Sequence, residues 1–147
     1  MSTQDKLAED MKSAMKSGDK TRLSTIRQLR AQLKDAQIAK GDELSEDEAI
    51  ATLTNAAKKR KEAIKLYEQG GRQELADSEK AELAIIETYL PQQLSEAELV
   101  GLITKTIEEV GASGPSDLGK VMGKIMAQVR GRADGKLVQQ LVREKLL

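Results

Sequence analysis

Four residue types are missing from this chain of 147 residues: there is no Cys, no His, no Trp and no Phe, and Tyr67 and Tyr89 are its only aromatics. Without Cys or His there is no thiol nucleophile, no Ser-His or Cys-His dyad, no disulfide and no Cys/His zinc site. An enzyme here would have to work with carboxylates, Lys, Ser, Thr or Tyr. The chain also lacks a phosphate-cradling Gly-x-x-x-x-Gly-Lys-Ser/Thr loop and a Gly-x-Gly-x-x-Gly turn. Independent catalysis is therefore a poor reading, and no cofactor or metal is implied.

Long apolar runs are absent too. The longest, Leu83 to Ile86, falls far short of the roughly 20 residues a spanning helix needs. Residues Met1 to Lys16 have no signal-peptide core, and Asp5, Glu9 and Asp10 argue against a transit peptide. The expectation is a soluble cytoplasmic protein without a membrane partner.

What is present is helical. Apolar residues make up 39% of the chain, enough for one or two small domains with real cores. Helical spacing recurs in Leu7, Met11, Ala14 and Met15, and again in Leu23, Ile26, Leu29, Leu33 and Ala36. Ser45 with Glu48 forms a capping box that opens a third helix, which ends at Gly70-Gly71. A fourth covers Arg72 to Leu90, with Leu75, Leu83, Ile86 and Leu90 inward and a break expected near Asp77-Ser78.

After Pro91, a second capping box at Ser95 and Glu98 starts a fifth helix. Ser116 is expected to cap the sixth and Asp134 the seventh. No alternating strand pattern competes, so the fold class is all-α. The proline directly after a long helix sets the boundary, giving a helical N-terminal domain over residues 1–92 and a small three-helix bundle over residues 93–147.

The sixth helix carries the most unusual choice of residues. Leu118, Val121, Met122, Ile125, Met126 and Val129 make its apolar face, while Gly119, Gly123 and Ala127 form a bare strip beside it, continued by Arg130 and bordered by Lys120 and Lys124. An interior helical glycine costs about 1 kcal/mol relative to alanine, and Gly123 bears most of that cost. Small residues in line let another backbone approach, and flanking cations favour a polyanionic one. Close packing against another helix of the same protein explains the strip at least as well.

The whole chain is neutral, with 24 basic and 24 acidic residues, but residues 117–147 hold seven basic side chains against three acidic. Residues 1–90 hold 16 against 17. Within them Lys58, Lys59, Arg60 and Lys61 cluster, followed by Lys65, and Arg60 and Lys61 fall in phase with the apolar stripe of their helix. They are either long stems lying over a bundle edge or RNA contacts.

Five motifs in order, Lys58-Lys59-Arg60-Lys61-Glu62-Ala63-Ile64, Gly71-Arg72-Gln73-Glu74-Leu75, Tyr89-Leu90-Pro91-Gln92-Gln93-Leu94-Ser95, Gly119-Lys120-Val121-Met122-Gly123 and Gly131-Arg132-Ala133-Asp134-Gly135-Lys136-Leu137-Val138, resemble the GatB/YqeY family over nearly the entire chain. That resemblance implies a helical N-terminal domain followed by a three-helix domain like the tail of the tRNA-dependent amidotransferase B subunit.

It also implies tRNA, or another structured RNA, as partner, with amidotransferase or tRNA-synthetase machinery nearby. The candidate RNA-facing residues are Gly119, Lys120, Gly123, Lys124, Arg130, Gly131, Arg132 and Lys136, with Lys58, Arg60, Lys61 and Lys65 in the N-terminal part. The catalytic domain of the B subunit has no counterpart here. The family's label of glutamine-dependent carbon-nitrogen ligase therefore describes the company the module keeps. A helical protein-interaction adaptor without RNA binding is the alternative.

Overall fold

The computed structural model describes all residues, Met1–Leu147, and the chain is all-α. Two compact units divide it, Met1–Pro91 and Gln92–Leu147. The first contains α1 (Thr3–Ser17), α2 (Lys20–Lys40), α3 (Glu46–Gln69) and α4 (Gln73–Glu87). The second contains α5 (Glu96–Val110), a 3₁₀ turn at Pro115–Asp117, α6 (Leu118–Val129) and α7 (Gly135–Leu146).

The first unit is a four-helix assembly around Leu7, Ile26, Leu29, Leu53 and Ile86, all fully buried. Its helices are defined by their ends. Ser45 accepts from Glu48 N–H at 3.1 Å while the Glu48 carboxylate accepts from Ser45 N–H at 2.9 Å, the reciprocal pair that the spacing predicts. Lys40 Nζ sits 2.6 Å from the same carboxylate, and these contacts, led by Lys40, hold the exposed Glu48 carboxyl down at about 2. A second box, Ser2 with Asp5, starts α1, and Glu46 reaches back from α3 to accept from the N–H and hydroxyl of Thr3. A carboxylate at that position also faces the positive end of the α1 dipole.

α3 and α4 form an antiparallel hairpin whose inward phases are easily read. On α3 the buried positions are Ala49, Leu53, Ala56, Ala57 and Arg60; on α4 Ala76 and Ile86 are buried, with Glu79 and Leu83 partly buried between them. α4 runs unbroken through Asp77-Ser78 and is shorter than Arg72 to Leu90. Leu75, expected inward, is 39% exposed because Ala76 takes the core position one residue later. Met15 likewise points outward, its helix contributing Leu7 and Ala14 to the interior.

Beyond α4, the Tyr89 hydroxyl donates to Asp10 Oδ2 at 2.5 Å, and Arg22 lies 3.5 Å from that oxygen. Burial, then the Asp10 carboxylate, push the phenol up to about 12. Tyr89→Phe should therefore destabilise the unit by about 1–2 kcal/mol, the usual effect of deleting a half-buried hydrogen bond to a charged group. Urea unfolding followed by helical circular dichroism checks it.

The second unit packs Leu99 and Ile103 of α5 against Val121, Ile125 and Val129 of α6 and Val138, Leu141 and Val142 of α7. Ser95 caps α5 through Glu98 N–H, but its own hydroxyl contacts the Glu98 carboxylate, so only half of the expected box forms. Pro115-Ser116-Asp117 is a 3₁₀ turn, and α6 starts at Leu118 without a side-chain cap, correcting the expectation that Ser116 caps it. Asp134 does cap α7, accepting from Lys136 N–H at 3.2 Å.

Candidate functional site

α6 buries Val121, Ile125 and Val129, with Met122 and Met126 half-buried beside them. That anchoring fixes what the opposite side shows. Gly119, Lys120, Gly123, Lys124, Ala127 and Gln128 are all exposed. A Cβ built on Gly119 or Gly123 would meet nothing within 4 Å. Close packing against another helix of the second unit is therefore not what the two glycines serve.

The cations around the strip differ in freedom. Lys124 Nζ lies 3.0 Å from Glu109 Oε2, a pair exposed on both sides and so only weakly stabilising. The same lysine lowers the Glu109 carboxyl below its ordinary value. Lys120, Arg130 and Lys136 are exposed, Lys120 on α6, Arg130 just past its end and Lys136 in the first turn of α7.

The turn after α6 is structural. Gly131 is buried and has φ of +77°, a conformation that disfavours any other residue, so a glycine is needed there to turn the chain. Its carbonyl accepts from Gln93 Nε2 at 2.7 Å, and Arg132 both accepts from Leu94 N–H at 2.9 Å and donates from Nε to the Gln92 carbonyl at 3.1 Å. These contacts tie residues 92–94 to the α6–α7 turn. Arg132 is thus partly committed to holding the backbone.

The N-terminal candidates divide more sharply. Arg60 turns inward, its side chain 10% exposed, with Nε 3.3 Å from Glu82 Oε2 and 3.8 Å from Glu79 Oε2. Nη2 donates to Gln28 Oε1 at 2.7 Å, whereas Nε makes no hydrogen bond. Arg60 is a core charge of the first unit and leaves the surface set. Its place in the apolar phase is explained by the carboxylates opposite. Lys58 is half-buried and engaged, while Lys61 and Lys65 are exposed.

Three or more His, Cys, Asp or Glu side chains that could hold a metal ion occur together nowhere, and no helix is long and apolar enough to cross a membrane. The arrangement on α6 offers a sterically open strip with exposed cations along it.

Among known proteins, the chain is similar to proteins named Altered inheritance of mitochondria protein 41, mitochondrial. The one from Lachancea thermotolerans is 33% identical over 113 residues, 75% of this chain and 60% of that protein. That from Pyrenophora tritici-repentis is 26% identical over 142 residues, 95% of this chain and 78% of its own length. A third, from Vanderwaltozyma polyspora, is 33% identical over 85 residues, 57% and 46% of the two chains.

The chain thus spans 60% of the length of the Lachancea relative and 46% of the Vanderwaltozyma one. All three names are mitochondrial, which overturns the expectation of a cytoplasmic protein. The family model described as Yqey-like protein matches residues 4–146, across both units, and on that match the chain belongs to the YqeY-like protein family.

Proposed function

We propose that this protein is a binding module for structured RNA, with tRNA the class implied by its resemblance to the amidotransferase B-subunit tail, and that α6 is the contact helix. The observation that carries the reading is the open strip: Gly119 and Gly123 are exposed in a helix and meet nothing. Lys120, Lys124 and Arg130 border it, and residues 117–147 carry four more basic than acidic side chains. With no Trp or Phe and two Tyr in the chain, base stacking has little to work with. Recognition would rest on phosphates and on the shape of a double-helical region.

In this reading the protein positions an RNA for tRNA-dependent amidation or aminoacylation machinery and carries out no ligase chemistry itself. Fluorescence anisotropy of labelled tRNA at about 50 and about 200 mM salt, with a random single strand as control, is the direct test. Several phosphate contacts make affinity fall steeply between the two salts. The variant K120E/K124E/R130E should lower the log–log salt slope by about 3, roughly one per cation lost, and should weaken binding to any sequence alike. An unchanged slope would remove α6 from the interface. A partner helix lying on the same strip is the second reading. It is favoured by a wild-type protein that ignores tRNA yet retains a stable protein partner.

A further inference from the structure

We infer that α2 is a second polyanion-binding face, matched to the phosphate backbone of a structured RNA; this rests on the RNA-binding reading above but on different residues. Between Lys20 and Lys40 the chain holds Lys20, Arg22, Arg27, Arg30, Lys34 and Lys40 against a single acid, Asp35. This is the most one-sided charge in the molecule, a net of plus five (6 − 1) in one helix.

Only two of the six are neutralised, Arg22 by Asp10 at 3.5 Å and Lys40 by Glu48 at 2.6 Å. Arg30 directs Nη1 to the Met11 sulfur at 3.0 Å, not to a carboxylate. Lys20, Arg27 and Lys34 are exposed and follow one another at seven-residue steps. Seven residues are nearly two helical turns, so the three lie almost in line over about 21 Å. Arg30 stands one turn from Arg27 and from Lys34, and like charges at those spacings disfavour a helix by a few tenths of a kcal/mol each. A bound polyanion removes that repulsion.

The surface beside the row is open. Room lies next to Lys20, Leu23, Arg27 and Ala31. It continues next to Arg30, Ala31 and Lys34, and the two stretches meet at Ala31. An anionic membrane fits less well. A membrane-surface helix inserts its apolar face, and that of α2, Ile26, Leu29 and Leu33, is already buried in the core. A phosphate backbone needs only the row of cations and room beside it.

The test uses the full chain and labelled tRNA, comparing wild type, R27Q/K34Q and R27E/K34E on α2, and K120E/K124E/R130E on α6. All substituted α2 positions are exposed, and unchanged thermal melts confirm folding. R27Q/K34Q should weaken binding about tenfold at low salt and lower the salt slope by about 2, with R27E/K34E weaker still. Loss in the α2 variants with an unimpaired α6 variant upholds this inference and overturns the α6 reading. Loss in the α6 variant alone does the reverse. A wild type that binds no tRNA overturns both. Vesicles of anionic phospholipid should not bind; vesicle binding that R27Q/K34Q abolishes, with tRNA affinity unchanged, assigns the face to membranes and overturns the RNA inference.

Discussion

Arg60→Met should lower the stability of the first unit by about 3–5 kcal/mol at neutral pH, the range for removing one partner from a buried ion pair. The loss does not come from the bonds themselves, since a single hydrogen bond to Gln28 is worth far less. It comes from what is left behind. Glu79 and Glu82, with side chains 26% and 20% exposed, would face each other with no cation between them. Amide hydrogen exchange at Leu29, Leu53 and Ile86, all in the first unit's core, reads the change without contribution from the second.

The pH dependence gives this prediction a signature. Burial, then the neighbouring Glu82, raise the Glu79 carboxyl above its ordinary value, and Arg60 is what opposes them. A carboxyl with a raised folded-state value binds its proton more tightly when folded. Stability from this group is thus greatest at low pH and falls as pH rises from the ordinary carboxyl value through the raised one. Removing Arg60 raises Glu79 further and widens that window. The R60M deficit should therefore be largest at pH 7–8 and shrink on acidification towards about pH 5, and Glu79→Gln in the same background should restore most of it. A deficit independent of pH and untouched by Glu79→Gln would mean that lost packing, not stranded charge, is responsible.

How much of this was legible follows from what each signal depends on. Helix ends depend on local chemistry, so Ser45 with Glu48 and Asp134 located two starts, and the apolar phases placed Leu7, Leu29, Ile86 and Ile125 in the core. Arg60 was seen to lie in an inward phase, but what neutralised it could not be seen. Its partners come from α2 and α4, 19 to 32 residues away in sequence, and only the fold brings them together. Leu75 was misplaced because a large apolar residue outranks a neighbouring alanine in any pattern, whereas the close α3–α4 hairpin admits Ala76.

The charge of α2 was hidden by averaging. Residues 1–90 sum to 16 basic and 17 acidic, yet acids concentrated around α3 and α4 offset five net positive charges gathered on one helix. A window of one helix length would have shown it. The openness of the glycine strip was beyond any window, because the sequence equally allowed a helix to lie on it.

Gly123 is where structure and proposed function pull in opposite directions, so one substitution should move two measurements with opposite signs. Its backbone is not in the left-handed region, and an added Cβ meets nothing within 4 Å. Gly123→Ala should therefore stabilise the second unit by about 0.5–1 kcal/mol, by helix propensity alone. Gly123→Leu should stabilise it by a similar amount, leucine being nearly as good a helix former. If an RNA backbone lies against the strip, the leucine side chain stands where the ribose-phosphate must pass, and tRNA affinity should drop by about tenfold or more, or about 1.4 kcal/mol per decade. Ala127→Gly is the reciprocal control: it should cost about 1 kcal/mol of stability while leaving tRNA affinity unchanged, because the strip only becomes barer. Stability and affinity that rise or fall together across these three variants would show that α6 acts on binding only through folding. Opposite movements at Gly123, with Ala127→Gly affecting stability alone, would show that the chain retains a costly glycine because something docks there.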